Sequence, residues 1–278
     1  MTAETSRVAP AGRIAVLIPV YNERGRLRET LESLGAQSVP FTAVLVDDGS
    51  SPRLEVDATA YSYPIEVLHL PRNQGIEAAL NAGLQHIDER GFELVARLDV
   101  GDRCAPTRLK TQQRFLDEHP EVHLVGSSVE WRRDDGSLAF AMMLPRDHAT
   151  IARAMHYTVC LIHPTVMFRT SVIRAVGVYS NSYPAAEDLE FFWRIVRRFH
   201  VANIAEVLLV TRFDPGGLSI SRRRRQLRSK LRIQLEYFRG AEPLSYLGVA
   251  KTVALMIAPY SGVVALKGVL SRRRQVNG

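Results

Sequence analysis

Short apolar runs alternate with stretches in which apolar residues recur every three or four positions. Ile14 to Ile18 is continuously apolar, as in a strand buried on both faces. Leu27, Leu31 and Leu34 then recur at helical spacing, and Gly35 ends that helix. Ala43 to Val46 predicts a second strand, closed by Asp47-Asp48-Gly49-Ser50. Ile65 to Leu68 predicts a third, followed by Arg72-Asn73-Gln74-Gly75 and a helix through Ala78, Ala79, Ala82 and Leu84. Leu94 to Leu98 predicts a fourth, ending at Asp99. Strands and helices alternating in this way require crossover connections and a largely parallel central sheet flanked by helices, an α/β fold. Ligands of such sheets bind beyond the carboxyl ends of the strands. Here those ends carry Asn22 and Glu23, Asp47 and Asp48, Asn73, then Asp99 and Asp102.

Beyond Val122 the pattern changes. Val122–Trp131 and Leu138–Leu144 predict a hairpin around Asp134-Asp135-Gly136-Ser137. Thr165–Phe168 and Val207–Thr211 predict further strands, with a helix from about Leu189 to Arg198 between them. Asp214-Pro215-Gly216-Gly217 marks the expected end of the compact domain. From Arg222 a basic amphipathic helix is predicted, with Leu227, Leu231, Leu235 and Phe238 on its apolar side. Two mostly apolar stretches follow, Tyr246–Ile257 and Tyr260–Leu270, each shorter than the roughly 20 residues that span a bilayer. In-plane or re-entrant insertion is the expectation. The division is thus a tail over 1–12, a domain over 13–217 and a helical, membrane-associating segment over 218–278.

Composition adds a partner to this outline. The formal charge of +7 in 278 residues points to an anionic partner, and much of the surplus lies after residue 220. The arginines of the tail are not interleaved with stacking aromatics and no nucleic-acid reading motif is present, so an anionic membrane surface contacted through residues 222–270 is expected rather than nucleic acid. Cys104 and Cys160 have no metal-ligand spacing and read as free thiols of a reducing compartment. No charged-then-apolar leader opens the chain, which predicts a cytoplasmic protein held peripherally at the inner face of the cell membrane.

Three acidic groups are candidates for chemistry. Asp47-Asp48-Gly49-Ser50 places carboxylates where they accept hydrogen bonds from a nucleobase or ribose, or else merely organise a turn. Asp99-Val100-Gly101-Asp102 offers oxygen ligands that suit Mg2+ or Mn2+, or forms a second Asp-rich turn. Glu187-Asp188, at the start of a helix, either favours the helix dipole or supplies a general base for an acceptor hydroxyl. His163 reads as a buried histidine bonded to backbone, and Trp131 and Trp193 as core residues.

Taken in order, these segments resemble one family. Pro19-Val20-Tyr21-Asn22-Glu23, Val46-Asp47-Asp48-Gly49-Ser50, Arg72-Asn73-x-Gly75, Asn81-x-Gly83 and Ala96-Arg97-Leu98-Asp99 look like the inverting family 2 glycosyltransferases of bacterial polysaccharide and glycoconjugate synthesis. The likeness continues through Arg108-x-x-x-Gln112, Phe115-Leu116, His119-Pro120, Val125-Gly126 and His163–Arg169 to Glu187-Asp188. It implies the GT-A fold, a Rossmann-like nucleotide-diphospho-sugar transferase. It also implies a nucleotide-sugar donor, a hydroxyl acceptor on a saccharide or lipid-linked saccharide, and a divalent metal. By resemblance, Pro19, Tyr21, Glu23, Asp47, Asp48 and Gly75 belong to the donor site. Arg72, Asn73 and Arg97 lie near ribose or diphosphate, and Asp188 is the base with Glu187 beside it; the metal site is assigned to Asp99 and Asp102, the oxygen ligands that the residues themselves offer. Two positions depart from the family pattern: the second metal-directed acid is Gly101, and the histidine before Ser219-Ile220-Ser221 is Gly216. Other readings on the same fold are a polyprenyl-phosphate sugar synthase and a non-catalytic sugar-nucleotide binding protein.

Overall fold

A computed structural model describes residues 12–23, 25–213 and 223–258. The Asp214–Gly217 boundary, Gly216 with Ser219-Ile220-Ser221, most of the tail before Arg13 and the apolar stretch from Tyr260 lie outside the described residues.

Four parallel strands form one half of a nine-stranded sheet: β3 (Ile65–His69), β2 (Phe41–Asp47), β1 (Ile14–Val20) and β4 (Leu94–Arg97), in that spatial order. The runs of β1, β2 and β4 are buried on both faces, with every residue of β2 and β4 buried, because helices cover both sides, while the edge strand β3 is only partly buried. α1 (Gly25–Leu34) and α3 (Arg108–Glu118) pack with one face around Ile18, Leu31 and Leu109; α2 (Ile76–Glu89) packs with the other around Leu17, Leu80 and Leu84. Gly83 sets the closeness of α2, since a Cβ there would lie 2.3 Å from Leu17 Cδ1.

The other half of the sheet is mixed. β8 (Met167–Arg169) runs antiparallel to β4, and β6 (Val122–Arg132) antiparallel to β8. β9 (His200–Arg212) is parallel to β6 and carries the two-residue β5 (Arg103–Cys104) antiparallel on its outer side. β7 (Leu138–Met142) returns along β6 as the predicted hairpin, shorter by two residues than expected. Both cysteines are free and buried.

Shorter helices complete this half: α4 (His148–Ala154), α5 (Ser171–Val176) and α6 (Glu187–Val196). The last two helices are α7 (Arg223–Glu236) and α8 (Pro243–Ile257). The apolar side predicted for α7 is corrected. Its buried residues are Leu227, Ser229, Ile233 and Gln234, while Leu235 is 57% exposed and Phe238 is also exposed. Ile233 and the following Tyr237 join the core, and Tyr237 stacks on Trp193 of α6. Two polar residues sit on the inner face because each has a partner there: Ser229 Oγ donates to Pro184 O at 2.9 Å and Gln234 Nε2 to His156 O at 3.0 Å. Polar residues satisfied inside are what hide the true stripe from a count of leucines. In α8 the pattern is reversed, with Ser245, Gly248 and Thr252 turned inward and Tyr246, Leu247, Met256 and Ile257 exposed.

Candidate active site

The parallel strands end on one rim, and loops tied to each other across it shape the site. The turn after β1 is bonded to the turn after β2: Asn22 N donates to Ser50 Oγ at 2.9 Å, and Ser51 N to Asn22 Oδ1 at 2.9 Å. Asp47 is buried and accepts from Ser50 N and Leu54 N at 3.0 Å, with His69 Nδ1 at 3.1 Å. Burial opposes its charge, but these hydrogen bonds win and hold the carboxyl below the usual carboxylate range. Asp48 accepts from Gln74 N at 2.8 Å and Gly75 N at 2.9 Å, fixing the entry to α2. Gly49 adopts φ 69° and presses on the next loop, where a Cβ would come within 2.3 Å of the Arg72 carbonyl carbon. Only glycine meets both demands.

Much of the bonding of these two acids is therefore internal. Tyr21, Arg72 and Asn73 are the exposed members of the expected donor set, and Pro19 and Glu23 are partly exposed. Glu23 lies 3.8 Å from Arg26, a long ion pair.

β4 delivers the second group. Arg97, expected beside ribose or diphosphate, is instead fully buried. Its guanidinium donates to the carbonyls of Leu17 and Leu98 and, at 2.5 Å, to Asp99 Oδ1. It lies behind Asp99, with little surface left for a ligand. Asp99 is 40% exposed at its side chain, and its second oxygen has no hydrogen-bond partner among the described residues. Burial raises its pKa, but the charge of Arg97 prevails and lowers it. Asp102 is 5% exposed and bonded to Thr211 of β9; burial, then the charge of Asp99, push it up to about 7. The Gly101 turn between them has φ 95°, and its N–H donates to Thr30 Oγ1 at 2.8 Å.

The third group opens α6. Glu187 and Asp188 occupy its first turn, where the free N–H groups and the helix dipole favour negative charge. Neither supplies the N-cap; that position is Ala186, which has no side-chain cap bond. Ala185 just before it holds φ 62°, one of two non-glycine residues with positive φ among the described residues. Such strain is stored where surrounding structure over-determines the backbone. Glu187 is buried, its Oε2 has no hydrogen-bond partner among the described residues, and burial with the charge of Asp188 raises it to about 7. Asp188 is partly exposed; burial raises its pKa, a hydrogen bond from Leu189 N at 2.7 Å lowers it, and the charge of Asp99 raises it again.

These mutual effects bring the groups together. Asp188 is within electrostatic reach of Asp99 and Arg97, and Glu187 within reach of Glu77 in the first turn of α2, whose entry Asp48 holds. His163 is buried and lies in the field of Arg97 and Asp99; burial keeps its imidazole neutral, down to about 3. Its partner is a side chain rather than backbone, with Nε2 2.8 Å from Tyr179 Oη. Asn81 in turn grips the backbone of Tyr179 by two bonds of 2.9 Å. Tyr179 has no motif of its own in the sequence, whereas Asn81 stood in the Asn81-x-Gly83 segment.

For a divalent metal the fit is narrow. Asp99 offers one unclaimed oxygen, Asp102 is turned to Thr211, and among the described residues no three His, Cys, Asp or Glu side chains form a metal-holding group. A single hard carboxylate suits Mg2+ or Mn2+ when a diphosphate supplies further oxygens.

With this geometry in hand, comparison with known proteins decides the family. The model of glycosyl transferase family 2 matches residues 15–177. The chain belongs to family 2 of the glycosyltransferases. The amylovoran biosynthesis glycosyltransferase AmsE of Erwinia amylovora is 32% identical over 228 residues, covering 80% of this chain and 83% of its own. An uncharacterized glycosyltransferase of Haemophilus influenzae is 29% identical over 241 residues, covering 84% and 88%. The fold is that of GT-A glycosyltransferases. S. aureus TarS (residues 1–349, in complex with UDP-GlcNAc) superposes with a TM-score of 0.63 at 19% identity, covering 86% of this chain and 71% of that one. The mannosyltransferase PcManGT of Pyrobaculum calidifontis, in complex with GDP-Man and Mn2+, superposes with a TM-score of 0.61 at 18% identity, covering 95% and 83%.

Proposed function

We propose that this family 2 enzyme moves a sugar from a nucleotide-sugar donor to a hydroxyl of a saccharide or lipid-linked saccharide, by direct displacement with inversion. The observation that carries the reading is the gathering of Asp47, Asp48 and Asp99 at the carboxyl ends of β2 and β4, with Asp188 in the first turn of α6 close enough to feel the charge of Asp99. Residues 13–217 carry the transfer chemistry. The nucleoside lies over the loops that Asp47 and Asp48 hold in place, with Tyr21, Glu23, Arg72 and Asn73 available to touch it. Asp48 acts by fixing Gln74 and Gly75, and Arg97 by aiming Asp99. Asp99 would hold Mg2+ or Mn2+ together with the donor diphosphate, and the bound ion would offset charge on the departing nucleotide. Asp188 takes the proton of the acceptor hydroxyl. Its raised pKa makes it a stronger base than an ordinary aspartate. The complexes of the structural neighbours with UDP-GlcNAc and with GDP-Man and Mn2+ support the donor class. The amylovoran relative supports a role in polysaccharide synthesis.

A thermal-shift screen tests the donor reading. One of UDP-GlcNAc, GDP-mannose or dTDP-glucose is expected to raise Tm, by more with Mn2+ than without, and Asp99→Ala is expected to erase the Mn2+ increment. No shift with any sugar nucleotide would remove the donor assignment.

The acceptor side of the reading places the enzyme at the inner face of the cell membrane. No helix among the described residues is long and apolar enough to cross a bilayer. Support comes from α8, which turns its small and hydroxyl residues inward and leaves Leu247 54% and Ile257 80% exposed, while Arg223 of the basic helix α7 donates to Leu255 O near its end. Apolar residues outward and cations alongside are the pattern of a helix lying on anionic lipid. The protein is expected to co-sediment with vesicles containing phosphatidylglycerol, and Leu247→Glu/Ile257→Glu to reduce bound protein by about tenfold or more, as loss of two buried apolar side chains implies. Undiminished sedimentation of that variant would exclude α8 as the contact.

A further inference from the structure

α7 carries a stripe of polar side chains that the transfer chemistry does not use. Ser229, Arg232 and Glu236 lie at the i, i+3 and i+7 positions of one helix face, and each reaches the segment that leads into α6. Ser229 Oγ donates to Pro184 O at 2.9 Å, and Ser229 is 3% exposed. Arg232 Nη1 donates to Ser182 O at 2.9 Å, while its guanidinium carbon lies 4.9 Å from the centre of the Tyr183 ring. The Tyr183 hydroxyl donates to the Glu236 carboxylate. Three consecutive residues, 182 to 184, are thus held by one helix. The strained Ala185 follows, then Ala186, whose N–H closes the turn on Tyr183 O at 3.0 Å, then Glu187 and Asp188. The same side of α7 is fixed in the core by Ile233, four residues after Ser229, and by the stack of the following Tyr237 on Trp193, inside α6 itself.

We propose that Tyr183, Ser229, Arg232 and Glu236 are positioning residues: α7 clamps the 182–186 turn, and through that turn sets where Asp188 stands relative to the acceptor hydroxyl. The inference rests on the reading of Asp188 as the base. The physical argument is that a left-handed alanine relaxes unless its neighbours are pinned, and that the turn is pinned by α7 on one side and α6 on the other. A base displaced by about 1 Å loses on the order of a hundredfold in rate even when its own chemistry is intact. The C-terminal helices are then part of the catalytic apparatus as well as the expected contact with lipid.

The test uses the full chain with Tyr183→Phe and Ser229→Ala, singly and together, each removing one hydroxyl and no packing volume of consequence. Hydrogen–deuterium exchange reads the clamp without reference to activity: amides of residues 185–190 are expected to exchange about tenfold or more faster in the double variant, with β1 and β4 unchanged. Hydrolysis of UDP-GlcNAc, GDP-mannose or dTDP-glucose, whichever protects the protein in the thermal screen, reads placement of the base with water as acceptor. The double variant is expected to lose about tenfold in kcat with nucleotide Kd within about threefold. Unchanged exchange would overturn the clamp. Faster exchange with unchanged kcat, in a protein that Asp188→Asn inactivates, would overturn the positioning role. Full hydrolysis by Asp188→Asn would instead defeat the base assignment, a failure that the exchange data keep separate from the clamp.

Discussion

Asp188→Asn is expected to lower kcat for sugar transfer by about 10² to 10⁴, the contribution typical of a positioned general base, while nucleotide affinity stays within a few-fold. The substitution is nearly isosteric, and an asparagine carbonyl can still accept the Leu189 N–H that Asp188 accepts at 2.7 Å. What changes is the ability to take a proton. The wild-type pH profile carries the same signature. Because burial and Asp99 raise the pKa of Asp188, kcat should fall with decreasing pH at values above those of an ordinary carboxylate. The sign follows from the requirement that the base be unprotonated: rate rises with pH through that pKa and then levels. Steady-state rates across pH, with nucleotide binding measured in parallel, check both expectations. Wild-type turnover by the variant would overturn the assignment. It would also favour a lipid phosphate as acceptor, since a phosphate oxygen already carries the charge that a hydroxyl must be given.

Much of this site was legible as spacing along the chain, and the fold explains why. In a parallel sheet every strand end points to the same rim, so Asp47, Asp99 and their neighbours could be collected from the ends of apolar runs alone. The first four strands and both long helices between them follow that reading closely, because continuous burial leaves a plain signature in hydrophobicity. Three things did not show. The mixed half of the sheet depends on β5, a strand of two residues too short to carry a period, and on the antiparallel direction of β8, a strand that Thr165–Phe168 predicts but whose pairing it does not. The true inner face of α7 was masked by Ser229 and Gln234, polar residues whose partners are remote in sequence. The surroundings of Asp48 and Arg97 did not show either: residue type and position give a carboxylate and a guanidinium at the rim, while the fold has Asp48 tie Gln74 and Gly75 and buries Arg97 against Asp99 as its counter-charge. Sequence locates polar groups at a rim more readily than it ranks them by distance from solvent.

That counter-charge is where the fold is most vulnerable. Arg97 lowers the pKa of Asp99, Asp102, Glu187 and Asp188 alike, so four acids share its field, with Arg108 assisting only at Asp102. Removing one partner of a fully buried ion pair costs about 3–5 kcal/mol, and the 40% exposure of the Asp99 side chain lets water offset part of it, leaving about 2–3 kcal/mol. Arg97→Met is therefore expected to lower Tm by about 4 to 12 °C in a domain of this size. The carbonyls of Leu17 and Leu98 lose their guanidinium donor at the same time. Part of the loss should be recoverable by removing the stranded charge: Arg97→Met/Asp99→Asn is expected to melt above Arg97→Met at neutral pH, although it gives up the metal-directed carboxylate. The pH dependence separates charge from packing. Acidification protonates the four acids, so the deficit of Arg97→Met should shrink as pH falls toward 4, whereas a cavity would cost the same at every pH. Melting curves of the three proteins between pH 4 and 8 decide the matter: a deficit that does not vary with pH would mean that Arg97 serves as a strut rather than as the charge around which the acids are arranged.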